Sequence, residues 1–405
     1  MSHDSLTRPL REWLVEQALG EPDILRMFET MCLRLSGFGI PVARARLVWQ
    51  TLHPLIRAEQ VVWNRGQKAE FEFFEHSEKQ TDAWRDSPMR HVIVNNIGMF
   101  RRQLFGPNET LDFPILMDLK QQGYTDYAIL ATPLNMVKFR LDADTRATGG
   151  VLMTWATDRP SGFSSDDLDC LQGIQRIFAL ACKTVIQARI SGNIAETYLG
   201  KRAGTSVLNG NIRRGDGQLI SAVVWYTDMR NSTMFSESMP QDEYFSLLNA
   251  YFESLANPVV EHGGEVLDFI GDAVLGIFPY EDAAGLVHAG QRANAALEDA
   301  LAQSRTVNAE RQANGLEQFK FGIGLNVGDV KFGNIGIPSR LAFSVIGQAV
   351  NEVARIETLT KYLQQPVLAS HRVAVLDQSR WNSVGAHKLE GVLDPVELYS
   401  FKQAA

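Results

Sequence analysis

Four side chains in the C-terminal half of the chain are of types, and at spacings, that suit phosphoryl chemistry. Asp228 closes the apolar run Ser221-Ala-Val-Val-Trp-Tyr-Thr and is followed by Met229-Arg230-Asn231-Ser232-Thr233. A carboxylate at a strand end, before a short polar turn entering a helix, suits a divalent cation, and free backbone N–H groups at the helix start suit phosphate. Taken alone, an Asp beside Asn-Ser-Thr serves equally as a turn or cap residue. Asp272 sits in a Gly271-Asp272 bend inside the apolar run Val266 to Phe278; a turn Asp also fits there, but the run has little other use for a carboxylate. Asn351 and Arg355 are four apart, so on a helix they share a face. An amide suits a sugar oxygen and a guanidinium a phosphoryl oxygen, although such a pair on a solvated surface is common.

The elements that must position these groups follow from periodicity. Ser221 to Tyr226 reads as a buried strand, Gln241 to His262 as a helix, and Glu265 to Phe278 as two strands folded about Gly271-Asp272. Ala283 to Ala313 reads as a long helix, Phe319 to Val327 as a strand, Ala349 to Tyr362 as a helix, with two strand-like runs after it. Mixed strands and helices of this kind indicate an α/β or α+β sandwich of residues 220–405. In the N-terminal half, strand-like runs start at Arg46, Ala69, Tyr127 and Gly150 after a helix at Ile24 to Leu35. A second helix starts at Ser164 or Ser165, with Asp166 and Asp167 in its first turn, and runs towards Ala195. Residues 1–190 therefore read as one domain and 191–219 as a helical and loop linker. Lys201 to Gly217 is its polar connector, whose Lys201, Arg202, Arg213 and Arg214 read as a solvated basic loop.

Composition narrows the classes. The 405 residues are 45% apolar and 21% charged, ordinary globular usage that excludes a disordered or low-complexity chain. Thirty-nine basic against 47 acidic residues give a net charge of −8, which speaks against nucleic acid as a partner. Cys32, Cys170 and Cys182 are too scattered for a disulfide framework or metal site, and no apolar stretch spans a membrane, so a cytoplasmic protein is expected. There is no GxxxxGK(S/T), and the glycines of Gly322-Ile-Gly324-Leu-Asn-Val-Gly328 fit no dinucleotide fingerprint. Gly263-Gly264-Glu265 lacks the acidic pair of a GGDEF-type signature.

Read jointly and in order, the blocks resemble the catalytic domain of class III adenylate/guanylate cyclases. They are Tyr226-Thr-Asp-Met-Arg-Asn-Ser-Thr, Gly263-Gly-Glu-Val-Leu-Asp-Phe-Ile-Gly-Asp-Ala-Val-Leu, Gly333-Asn-Ile-Gly and Ser344-Val-Ile-Gly-Gln-Ala-Val-Asn-Glu-Val-Ala-Arg, with Gly391-Val-Leu-Asp-Pro-Val-Glu-Leu-Tyr like the closing strand. The resemblance implies a ferredoxin-like domain that works as a homodimer with its active sites at the interface. It implies two Mg²⁺ or Mn²⁺ ions held by Asp228, Asp272 and the Met229 carbonyl, with Asn351 orienting the ribose and Arg355 facing the α-phosphoryl oxygens. Asp268 and Ser344 fall at the base-reading positions, and Arg230 to Thr233 in the nucleotide-binding turn.

Two departures bear on the substrate. Adenylate cyclases of the family usually carry Lys where Asp268 stands, and Asp or Thr where Ser344 stands. A carboxylate cannot donate to adenine N1, whereas it accepts from guanine N1–H and N2–H. The pocket chemistry leans to GTP and the family's usual substrate to ATP; ATP is the expectation, with GTP, or an inactive nucleotide- or partner-binding homologue, as alternatives. Glu390 replaces a further phosphate-binding Lys of many relatives, with Lys388 close by. The N-terminal half resembles a GAF-type sensory domain through Ala131-Thr-Pro-Leu, Gly149-Gly-Val-Leu-Met-Thr-Trp and Gly162-Phe-Ser-Ser-Asp-Asp-Leu. The resemblance implies an antiparallel-sheet domain that receives an unknown small-molecule or protein signal and pairs through its long helix. Trp49, Trp63, Trp84 and Trp155, like Cys170 and Cys182, read as core residues.

Overall fold

The computed structural model of the protein describes residues 3–76, 81–140, 146–392 and 394–402; Leu393, inside the closing block, lies outside them. The chain divides into two compact units, Met1–Thr197 and Tyr198–Ala405. The class is the expected mixed α+β.

The first unit carries α1 (His3–Leu19), α2 (Ile24–Gly37), β1 (Arg44–Gln50), β2 (Ile56–Asn64), β3 (Glu70–Glu75), α3 (Asp82–Arg85), α4 (Pro88–Val94), β4 (Met99–Gln103), α5 (Pro114–Gln121), β5 (Asp126–Arg140), β6 (Arg146–Thr157) and α6 (Ser165–Leu199). Its six strands form one antiparallel sheet in the order β3-β2-β1-β6-β5-β4. Period-2 alternation in β1 decides what each face does. Ala45, Leu47 and Trp49 enter the core beneath α1, α2 and α6, where Trp63, Trp155, Cys170 and Cys182 are also buried. Arg44, Arg46 and Val48 face the other way, towards α3 to α5. The α6 start is a reciprocal cap: the Asp167 N–H donates to the Ser164 hydroxyl at 3.1 Å, and the Ser164 N–H to the Asp167 carboxylate at 2.8 Å.

The second unit carries α7 (Lys201–Leu208), β7 (Gly217–Met229), α8 (Ser232–Ser238), α9 (Gln241–Glu261), β8 (Glu265–Ile270), β9 (Ala273–Pro279), α10 (Ala283–Ala313), β10 (Phe321–Ile337), β11 (Arg340–Ile346), α11 (Gln348–Tyr362), β12 (Val367–Ser370), α12 (His371–Ala374), β13 (Trp381–His387) and β14 (Val396–Phe401). The sheet order is β13-β14-β12-β10-β7-β9-β8, with β11 paired to β10 and only β10–β12 parallel. Apolar residues of α9 and α10 bury against Val223, Trp225, Val274 and Phe278 on one face. On the other, Val353 of α11 and Ala203 of α7 join Ala222, Val224, Leu275 and Ile277.

Two expectations need correction. The connector after Gly200 opens with α7 rather than a loop. Gly200, at φ 81°, breaks the chain from α6, and Glu265 accepts from the Arg202 backbone N–H at 3.1 Å and its Nε at 2.8 Å, so Arg202 is pinned rather than solvated. The strand expected to stop at Val327 runs on to Ile337 and folds back as β11. Gly328 does not end it but lets α11 lie close: a Cβ there would come 2.7 Å from the Ala349 Cβ.

Candidate active site

The metal acids of the sequence reading come from neighbouring strands. In register, Asp228 at the end of β7 lies opposite Ala273, the first residue of β9, so the turn residue before it, Asp272, falls beside Asp228. Gly271 makes that turn at φ 66°, a left-handed conformation that favours glycine. Asp272 lies close enough to act on the Asp228 carboxyl. Burial, then the charge and hydrogen bond of Asp272, push Asp228 up to about 6, with Arg230 and the Met229 backbone N–H opposing. Two like charges held together in this way call for a cation.

Arg230, the cation nearest in sequence, is committed elsewhere. Its guanidinium pairs with Glu357 of α11 at 3.2 Å and donates to the Thr360 hydroxyl. Glu357 is 3% exposed; burial pushes it up to about 7 against the opposing pull of Arg230, with the Asp228 charge adding to the rise. Gly322 of β10, opposite Asp228 in register, leaves room for this cluster, since a Cβ there would collide with Thr360, Arg230 and Glu357. Gly324 lets the α11 backbone approach, a Cβ there falling 2.6 Å from the Val353 carbonyl oxygen. Gly322 and Gly324, two of the glycines that fit no dinucleotide fingerprint, thus serve helix–strand contact.

The expected phosphate turn is present in part. The Arg230 N–H is already given to the Lys320 carbonyl at 2.7 Å, and the half-buried Arg230 side chain is taken up in the ion pair. Asn231 takes φ 62° and heads α8 without a side-chain cap, leaving Asn231 and Thr233 exposed and Ser232 half-buried. Met229 sits in the core, its side chain 3% exposed.

Asn351 and Arg355 share α11 as expected. Asn351 is exposed, and Arg355 is half-buried with its guanidinium against Gly391. Among the described residues neither side chain has a hydrogen bond or ion pair within the chain, and none joins them to Asp228 or Asp272. Asp268 and Ser344 lie on β8 and β11, which pack against each other. Asp268 is half-buried at a bulge, pushed up by burial with the Phe269 N–H opposing. Glu390 and Lys388 are both exposed.

The donor set fits a divalent ion: two oxygen-bearing carboxyls without a committed cation, to be completed by substrate phosphate and water oxygens. Among the described residues no cluster of three or more His, Cys, Asp or Glu side chains forms a self-sufficient metal site. Sequence reasoning missed Glu357. Its signal was a charged residue on the buried stripe of α11, beside Val353, Ile356 and Thr360.

Comparison with known proteins bears on the family of the second unit. Residues 218–403 match the family model described as "Adenylate and Guanylate cyclase catalytic domain". Residues 218–403 are a class III nucleotidyl cyclase domain. An uncharacterized protein of Mycobacterium tuberculosis is 31% identical over 183 residues, 44% of this chain and 31% of its own. The adenylate cyclase of Anabaena cylindrica is 32% identical over 163 residues, 40% of this chain and 32% of its own. The solved structure of the guanylyl cyclase Cya2 is 28% identical, with a TM-score of 0.41, covering 47% of this chain and 95% of that one. The chain spans about a third of the length of the first curated relatives it matches. No helix among the described residues is long and apolar enough to cross a membrane.

Proposed function

We propose that the cyclase domain converts ATP to 3′,5′-cyclic AMP and pyrophosphate. The observation that carries this reading is the Asp228–Asp272 pair, juxtaposed and short of positive charge in a domain of this family. Asp228, Asp272 and the Met229 carbonyl would hold two Mg²⁺ or Mn²⁺ ions. Once bound, such ions lower the pKa of the ribose 3′-OH and neutralise triphosphate charge. The 3′-oxygen then bonds to the α-phosphorus in line, the bond from that phosphorus to the bridging oxygen breaks, pyrophosphate carries away the electron pair, and the hydroxyl proton leaves to solvent. The backbone of Asn231 to Thr233 faces the triphosphate. Asn351 holds the ribose so that its 3′-oxygen is in line, and Arg355 takes up charge developing on the α-phosphoryl oxygens.

In this reading the enzyme is a homodimer, and each site takes its acids from one protomer and its Asn351 and Arg355 from the other. That accounts for the lack of side-chain hydrogen bonds and ion pairs of Asn351 and Arg355 among the described residues of one chain. Asp268 favours a second reading, a guanylate cyclase: among the described residues it has no ion pair, and a carboxylate accepts from guanine donors but repels adenine N1. The adenylate cyclase relative supports ATP. Incubating the purified protein with Mn²⁺ and each nucleotide decides between them. Cyclic AMP supports the first reading and cyclic GMP alone the second. No product from either points to a nucleotide- or partner-binding homologue.

For residues 1–197 we infer a GAF-like sensory unit that receives a signal and pairs through α6, altering how two cyclase domains meet. The antiparallel sheet with helices on both faces supports this reading. Equal activity and equal dimer affinity of the full chain and an Ile220–Ala405 fragment would refute it. The three cysteines, free and buried, agree with a cytoplasmic setting.

A further inference from the structure

The sheet face of the first unit that α1, α2 and α6 leave uncovered borders a cavity of about 920 Å³, closed over by α3 to α5. That is the size of small-molecule sites in general. Its walls are largely apolar, with Val48, Val92, Ile97, Leu119 and Val151 among them. Three of the polar groups that line it have no hydrogen-bond partner among the described residues.

Arg46 projects from β1 into the cavity and, among the described residues, has no hydrogen bond or ion pair. Burial, and then the neighbouring charge of Arg44, lower its pKa. The groups that would offset it are weak: Tyr127 is kept neutral, its phenol pushed up to about 12 by burial, and Glu72 is exposed and bonded to Gln60. The carboxylates at the cavity, Glu75, Asp82, Asp86 and Asp118, are all exposed at its rim. Among the described residues the buried indole N–H of Trp84, whose ring stacks under Arg57 at 4.8 Å, has no acceptor, and the buried side-chain carbonyl oxygen of Gln60 has no donor. A desolvated guanidinium, an idle N–H and an idle carbonyl in one cavity each cost free energy unless a partner arrives.

We propose that this cavity binds a planar organic anion, its acidic group on Arg46 and Arg44 and its ring against Trp84. The inference is independent of the cyclase reading, because it concerns only the first unit and is read by binding.

The test uses the full chain and two fluorescent probes with the same rings: 8-anilinonaphthalene-1-sulfonate, which carries an anion, and N-phenyl-1-naphthylamine, which does not. Loss of a charge-assisted contact predicts that Arg46→Met weakens the sulfonate probe by about 10–100-fold while the neutral probe changes less than about twofold. Arg46→Lys should keep most of the sulfonate affinity. Because the guanidinium is unpaired, Arg46→Met should also melt no lower than the wild type without ligand. Three results would each overturn the proposal: sulfonate affinity unchanged in Arg46→Met, both probes weakened alike, or a lower melting temperature marking Arg46 as a structural residue.

Discussion

The two units treat buried charge in opposite ways. In the first, Asp126 is wholly buried yet fully matched: Arg101 forks onto it with contacts at 2.5 and 3.1 Å, and the Phe163 N–H donates at 2.9 Å. Asp167 is likewise held by Arg159 and Ser164. In the second, Asp228 and Asp272 face each other, and the cation that might have matched them is bound to Glu357. A matched buried acid ties elements of the fold together; an unmatched pair at a strand end is a place for something that arrives with positive charge. The difference separates acids that hold the fold from acids free for the proposed chemistry, although Asp126 and Asp228 both stand at the end of a strand.

The largest effect should come from the unmatched pair. Asp228→Ala should lower cyclase turnover by roughly 10³ or more, and Arg355→Ala by about 10²–10³, both measured as cyclic product at saturating nucleotide. Asp228→Ala should melt no lower than the wild type, because the replacement relieves a repulsion. Asp126→Ala inverts the pattern. Breaking a matched buried pair costs about 3–5 kcal/mol, so denaturant melts should shift strongly while turnover of the surviving folded protein stays near wild type. If Asp126→Ala instead left stability intact, the contrast between the units would fail.

A smaller effect tests the base position. Asp268→Lys should shift the ATP-to-GTP ratio of kcat/KM towards ATP by about 10–100-fold, and an unchanged ratio would mean that this side chain does not read the base. The smallest effect concerns Glu357. Its pKa is raised in the folded state, so the folded protein holds a proton that the unfolded chain has already released. That contribution is present in full below pH 4.5 and is lost as pH rises towards about 7. Glu357→Gln should therefore flatten the fall in stability across that window in a series of denaturant melts, whatever constant offset loss of the ion pair adds.

The candidate site was legible in the sequence where chemistry and order sufficed. Asp228 follows an apolar strand, Asp272 sits in a bend where apolar residues surround it, and Asn351 and Arg355 keep helical spacing, so each could be named before its neighbours in space were known. The Arg230–Glu357 contact was not legible, because it joins residues far apart in the chain through two glycines of β10 that resemble turn residues. A third glycine hid the length of β10: Gly328 looks like a stop in one dimension and is a clearance for α11 in three. α7 was missed because a short polar segment gains its helix from Glu265 capping it and Ala203 packing below, not from its own propensity. Of the four tryptophans read as core, Trp49, Trp63 and Trp155 are buried, whereas Trp84 is half-buried and lines the cavity. The cavity itself depends on which face of β1 the helices cover, which alternation alone leaves open.

The central claim is that each catalytic centre is built from two chains, the acids from one and the amide and guanidinium from the other. Mixing inactive Asp228→Ala protein with inactive Arg355→Ala protein, and assaying cyclic product after subunit exchange, tests it directly. A two-fold dimer made from both variants has one centre free of either substitution, so random exchange should restore about one quarter of wild-type activity. A mixture that stays as inactive as its components, under conditions where exchange is verified, would contradict the account.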